Sequence, residues 1–229
     1  MARVLAKVPR KSTIVAPNGH GLLVEVERRG LDPAETYFKT HLAFRYAYRG
    51  SGIPSAFSDK DRVDFGEEFL HLRALHAEAP GNVVMPIAIV RITPTSMPIG
   101  YVMERARGRS LNYYRKRIEG ARLADPIRPE TIRDIETYVS GLEQLVSVLK
   151  RFHRAGLGHG DANAENCKIR KGMPLKVFDP TNLITLGENY VRRVNLTGSL
   201  ADIIADDETC IRVHAEAIAS LSPLLRRDG

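Results

Sequence analysis

Between His159 and Thr181 the chain reads HGDANAENCKIRKGMPLKVFDPT, and this stretch limits the fold more than any other. It opens as a polar loop carrying Asp161 and Asn166. Cys167-Lys168-Ile169 and Leu175-Lys176-Val177-Phe178 then read as two short strands joined by the turn Lys171-Gly172-Met173-Pro174. A hairpin there brings Asp179 back to Asn166. One carboxylate, one amide and a second carboxylate are thereby gathered on a short piece of chain. The Asp-to-Asn spacing alone also suits an ordinary loop whose side chains make turn hydrogen bonds, so the surrounding sequence has to decide.

The surroundings alternate strand and helix patterns. Ile132 to Ala155 is the longest helical run, with Ile135, Val139, Leu142, Val146 and Leu149 at helical spacing and Gly156 as its stop. It leads straight into the loop. Near the start, Ser12–Ala16 and Leu22–Glu27 read as strands around the turn Asn18-Gly19-His20-Gly21. Thr36–Tyr48 alternates as a strand that puts Lys39, His41 and Arg45 on one face. Asp64–Glu78 reads as a helix with Phe65, Phe69, Leu72 and Leu75 as its apolar stripe. Asn82–Ile92, broken near Pro86, and Ile99–Glu104 are further strands. Leu111–Gly120 is helical, and Ala121–Pro129 is a proline-bearing loop. After Asp179 comes an irregular run, Asn182–Asn195, then one or two helices over Ser199–Leu221. Their expected core is Ile203, Ile204, Ile211, Val213, Ala217 and Leu221, with Asp202, Asp206 and Asp207 near a helix start, where acids are favourable.

Protein kinases carry a loop H-R-D-x-x-x-x-N followed by a metal-binding D-F-G. Here the loop reads His159-Gly160-Asp161 with Asn166, and the later motif reads Asp179-Pro180-Thr181. The chain therefore resembles the protein-kinase-like superfamily, as a minimal Ser/Thr-kinase-like core of the small phage-encoded or bacterial effector type. The resemblance runs from about Asn18 to Thr181. It implies an α+β, two-lobed fold: a small β-rich N-lobe over residues 1–105 and a truncated, mainly helical C-lobe over 106–229, together one domain.

The resemblance also implies a chemistry. Phosphoryl transfer from ATP needs positioning and charge stabilisation around metal-bound phosphates. Asp161 would accept or orient the proton of the attacking hydroxyl. Asn166 and Asp179 would hold Mg²⁺, a hard ion that prefers oxygen ligands. Gly19 and Gly21 would cover the phosphates, although the full glycine-rich motif is absent and the turn also suits a plain hairpin. Lys39 would clamp the α- and β-phosphates, with Arg45 as the competing cation. Glu68 would pair with it, with Glu67 as the alternative. The backbone of Glu104 and Ala106 would bind adenine, with Met103 at the back of the pocket.

Four departures bear on the substrate and on regulation. Gly160 stands where regulated kinases have an Arg that binds a phosphorylated activation loop, which implies constitutive activity. Asn163 stands where Ser/Thr kinases usually carry Lys. Pro180-Thr181 replaces Phe-Gly, and no A-P-E follows. The His-Gly-Asp form also occurs in aminoglycoside and choline kinases. The expected activity is transfer to a protein Ser or Thr. The alternatives are a small-molecule phosphotransferase and a pseudokinase that binds without catalysis.

Composition narrows the setting. The 34 Lys and Arg exceed the 27 Asp and Glu, for a net charge of +7, so an acidic protein partner is favoured over a basic one. Arg105, Arg107 and Arg109 concentrate part of that charge. There is no clear nucleic-acid motif. The two cysteines, Cys167 and Cys210, argue against a disulfide scaffold and imply a reducing compartment, the cytoplasm or a host cytoplasm into which the chain is delivered. No apolar run reaches membrane-spanning length, and no secretory signal is expected.

Overall fold

The computed structural model describes residues 13–15, 30–32, 34–40, 65–92, 97–121, 127–180 and 200–225. The glycine turn with Gly19 and Gly21, the Leu22–Glu27 strand, Arg45, Thr181 and the run Asn182–Asn195 lie outside them, as do the side chains of Phe65 and Glu67. The fold is α+β, with two small sheets and, among the described residues, four helices. Two compact units emerge. One takes the chain up to Ala74 together with Met85–Arg105, and the other takes Leu75–Val84, Ala106–Thr181 and Leu200–Gly229.

The first unit is built on a sheet of β1 (Thr13–Val15), β2 (Thr36–Thr40), β3 (Pro86–Ile92) and β4 (Met97–Glu104), in the order β1-β3-β4-β2. β1 runs parallel to β3, and the other pairs are antiparallel. The β2–β4 register sets Lys39 opposite Tyr101 and Tyr37 opposite Met103. The described part of β2 ends at Thr40, so the expected extension to Tyr48 lies outside the described residues. Ala88, Ile89, Val90, Tyr101, Val102 and Met103 are buried. The helix α1 (Phe65–Glu78) contributes Phe69 and Leu72 to the same core, and Phe69 meets Tyr101 edge-on at 5.9 Å between ring centroids. Glu68 is in phase with Leu72 and Leu75, so the helix carries a carboxylate into its buried stripe.

The second unit joins a small antiparallel sheet to helices. Its strands are β5 (Arg109–Ser110), β6 (Cys167–Ile169) and β7 (Lys176–Val177), in that order. α2 (Leu111–Gly120) begins at Ser110, whose Oγ accepts the Tyr113 N–H at 3.2 Å, a side-chain cap. α3 (Pro129–Arg154) starts three residues earlier than its apolar spacing implied, because Pro129 at the first turn needs no N–H partner. It stops where expected. The Leu157 N–H donates to the Phe152 carbonyl and the Gly156 N–H to that of His153, with Gly156 at φ 69, which closes the helix in a Schellman motif. Its inward face is Ile135, Tyr138, Val139, Leu142, Leu145, Val148, Leu149 and Phe152. Val146, expected in that face, is only half-buried, because at 100° per residue the stripe drifts toward Leu145 and Leu149.

α4 (Leu200–Leu225) packs on α3 as one continuous helix. Of its expected core only Ile203 is buried, while Ile204, Ile211, Ala217 and Leu221 are half-buried, and two further expectations fail. Val213 is 52% exposed, while its neighbour His214 is buried. Asp207 lies in the second turn rather than at the helix start, and it is fully buried. The face turned inward runs Ile203, Asp207, Cys210, His214 at steps of four, three and four, so two of its buried members are polar. Among the described residues no helix is long and apolar enough to cross a membrane.

Candidate functional site

Two clusters collect the residues singled out in the sequence, one in each unit. In the first unit, Lys39 on β2 donates from Nζ to Glu68 Oε1 on α1. The Tyr101 hydroxyl donates to the same oxygen at 2.5 Å. The Glu68 side chain is 2% exposed and that of Lys39 is 23% exposed, so the carboxylate is the buried anchor and the ammonium the open end. Lys39 Nζ also lies 5.9 Å from the centre of the Tyr101 ring. Tyr101 was not among the expected site residues; the β2–β4 register sets it opposite Lys39. Met103 is buried beside them in sequence on β4. Glu104 ends that strand with its N–H donated to the Met85 carbonyl at 2.8 Å, while its Oε2 accepts the Met85 N–H at 3.1 Å. The N–H of Glu104 is thus committed within the protein. Ala106, half-buried, lies in the irregular segment before β5.

In the second unit, the polar loop is tied together from within. Asn163 Oδ1 accepts the N–H groups of Glu165 and Asn166 at 2.9 and 3.2 Å, an Asx turn that tightens the loop. The amide nitrogen of Asn163 donates to Asp161 Oδ1 at 2.7 Å. That of Asn166 donates to Asp161 Oδ2 at 2.8 Å and to the Asp161 carbonyl at 3.0 Å. Asn166 Oδ1 accepts nothing among the described residues. The hairpin then behaves as its sequence implied: Cys167 faces Val177, and the Phe178 N–H donates to the Asn166 carbonyl at 3.1 Å. Asp179 follows at once. Its φ of 55 is the one positive φ of a non-glycine among the described residues, a sparsely populated conformation of the kind that concentrates at functional sites.

The loop is also held by residues with no part in the site expected from the sequence. Asp207 on α4 accepts the His159 N–H at 2.6 Å and the Gly160 N–H at 2.8 Å, and its Oδ2 lies 3.3 Å from His153 Nε2. Burial pushes the Asp207 carboxyl above the usual carboxylate range, while these donors pull it back. Gly158 lets α4 approach, since a Cβ there would sit 2.4 Å from Ile203 Cγ2. Gly160 has φ 75, a left-handed conformation that an arginine would adopt only with strain. His159 is buried, with Nε2 3.1 Å from the Phe178 carbonyl, and the buried His214 ring lies 3.4 Å from the Ala162 carbonyl. Burial shifts the His214 pKa downward, so its ring is neutral at physiological pH. On the other flank, Asn112 of α2 donates to Glu165 and takes the Arg115 guanidinium on its Oδ1. Burial, then the charges of Cys210 and Asp161, push the Cys167 thiol far up, and burial likewise raises Cys210. Neither offers a thiolate nucleophile at neutral pH.

Removing the buttress has a defined cost. Asp207→Ala leaves the N–H groups of His159 and Gly160 without their buried acceptor, at about 1–3 kcal/mol for each orphaned group. Urea unfolding of Asp207→Ala is expected to show a loss of several kcal/mol, with Asp207→Asn losing less because its amide oxygen still accepts. An Asp207→Ala midpoint equal to wild type would mean that α4 does not anchor the loop.

The donor set suits a hard ion. Asn166 contributes an amide oxygen and Asp179 a carboxylate from either end of one hairpin. Mg²⁺ needs few protein ligands, because it keeps waters and takes phosphate oxygens. Among the described residues no three His, Cys, Asp or Glu gather into a metal cage. No protein-family model matches this chain, and no curated protein sequence matches it.

Proposed function

We propose that the chain is an ATP-dependent phosphotransferase with a two-lobed, protein-kinase-like fold, and that it transfers the γ-phosphate of Mg-ATP to a Ser or Thr hydroxyl of a protein. The observation that carries the proposal is the Asp161–Asn166 pair. One amide nitrogen grips both the backbone and the carboxylate of Asp161, and the same hairpin carries Asp179. Local turn bonds of this kind also occur in ordinary loops; what supports the reading beyond them is the buried carboxylate of Asp207 that clamps two N–H groups of the loop. Asp161 orients the acceptor hydroxyl and takes its proton. Asn166 and Asp179 hold Mg²⁺, and Lys39, steadied by Glu68 and Tyr101, binds phosphate oxygens. Bound Mg-ATP supplies the phosphoryl group together with a metal charge that offsets the negative oxygens.

Transfer to a small molecule is the second reading, and Gly160 favours it. Its left-handed backbone makes the His-Gly-Asp form a requirement of this loop rather than a chance loss of Arg. Purified protein incubated with ATP labelled on its γ-phosphate, alone and with cell lysate, separates the two. Phosphoserine or phosphothreonine on protein, falling off as salt rises because a basic enzyme meets an acidic partner, supports the proposal. Label confined to small molecules moves the assignment to the second reading, and no label on anything removes both.

The metal assignment has its own test. Asp179→Ala should abolish most of the thermal shift that Mg-ATP gives, measured against each variant's own ligand-free midpoint. Asn166→Ala should reduce it less, because an amide offers the ion a dipole and a carboxylate a full charge. Equal shifts for Asp179→Ala and wild type would contradict this ligand set.

A further inference from the structure

Asn163 occupies the loop between Asp161 and Asn166, where the resemblance would place a cation. Both ends of its amide make hydrogen bonds inside the protein. Oδ1 takes the N–H groups of Glu165 and Asn166, and Nδ2 donates to Asp161 Oδ1 at 2.7 Å. The opposite oxygen, Asp161 Oδ2, takes Asn166 Nδ2 at 2.8 Å. The carboxylate is therefore held at both oxygens by two amides of one turn, and its plane and rotamer are fixed. The whole loop then rests on α4 through Asp207 and His214.

We infer that Asn163 is a positioning residue that aims the Asp161 carboxylate at the acceptor hydroxyl, and that it contributes no contact to ATP. The inference rests on the phosphotransferase reading above. It has two physical parts. A carboxylate free to rotate about its side-chain bonds spends part of its time pointing away from the acceptor, and the fixed one does not. Asn163 is neutral, its oxygen is taken by two N–H groups and its amide nitrogen is drawn to Asp161, so the charge that a lysine would bring to a phosphate here is missing. Loss of Asn163 should consequently slow turnover without weakening nucleotide binding.

The variants are Asn163→Asp, which keeps the oxygen that caps the turn but sets a second carboxylate oxygen against Asp161 Oδ1 in place of the donor, and Asn163→Ala, which loses both. Each is made in wild type and in Asp161→Asn. Both are expected to lower kcat about tenfold while KM for ATP stays within about twofold, since the lost interaction acts only on the reacting geometry. Asn163→Asp should unfold at a lower midpoint, because its carboxylate faces the Asp161 carboxylate where the amide donor stood, and should regain most of it in the Asp161→Asn background, whereas Asn163→Ala should lose the cap in either background, which separates the cap from the donor. In the Asp161→Asn background the further loss should shrink below about twofold, because a residue acting through Asp161 has nothing left to position. A tenfold cost that persists undiminished in that background overturns the inference, as does an unchanged kcat or a rise in KM with kcat intact. The side-chain amide resonances of Asn163 give a readout independent of turnover. They should move on Asp161→Asn. If the wild-type chain transfers no phosphate at all, the functional reading fails, and these resonances alone decide whether Asn163 holds Asp161: a shift retains the contact and an unmoved signal removes it.

Discussion

Asp161→Asn is expected to lose turnover on the order of 10²-fold or more while Mg-ATP still binds. Asparagine keeps the size of aspartate, so the pocket does not collapse. What it loses is an oxygen able to take a proton. It also presents an amide nitrogen to donors that are already in place, since Asn163 and Asn166 each aim an N–H at one oxygen of Asp161. One of those contacts becomes donor against donor, so the side chain is pushed off its aim as well as stripped of basicity. The folded protein should unfold at a slightly lower midpoint, because hydrogen bonds to a charged acceptor contribute more than neutral ones. Turnover and the Mg-ATP thermal shift measured on the same preparation give the answer. A folded Asp161→Asn protein with wild-type turnover would sink the mechanism.

What was legible in the sequence is what depends on local pattern. The hairpin from Cys167 to Val177 follows from two short strands about a Gly-Met-Pro turn, and it formed with Cys167 opposite Val177. The long helix was legible because an amphipathic stripe ending in glycine has few other ways to fold, and it ends in the expected place at Arg154. The reach of Lys39 to Glu68 was also within range, because alternation fixes the strand face and a stripe fixes the helix face. What escaped was polar and buried. Asp207 and His214 were invisible to a count of apolar residues because they sit at core positions as hydrogen-bonding groups. The available signal was phase: Asp207 stands four residues after Ile203, on the stripe rather than off it. Val213 was assigned inward for being apolar, although one residue of helical rotation, about 100°, carries it to the outer face. Tyr101 was read as a strand residue, since nothing local says that its hydroxyl reaches a glutamate on another element.

Lys39→Met should abolish transfer, and Arg45→Met should leave much of it. Methionine keeps the aliphatic stem and removes the charge, so packing along β2 changes little. The electrostatics change much more. Glu68 has its side chain 2% exposed, and Lys39 supplies its cation. Removing one partner of a buried ion pair costs on the order of 3–5 kcal/mol. Lys39 is partly open to solvent, and the Tyr101 hydroxyl also donates to the carboxylate, so the lower end of that range applies. For a chain of this length that is a fall in Tm of roughly 6–12 °C. Loss of activity through instability and loss through a missing phosphate ligand then have to be told apart. The double variant Lys39→Met with Glu68→Gln does so. A neutral amide needs no cation, so most of the lost Tm should return, while transfer should stay abolished because nothing replaces the ammonium at the phosphates. Recovery of both Tm and activity would reduce Lys39 to a structural counter-ion of Glu68. A dead Arg45→Met beside a working Lys39→Met would hand the phosphate-binding role to Arg45.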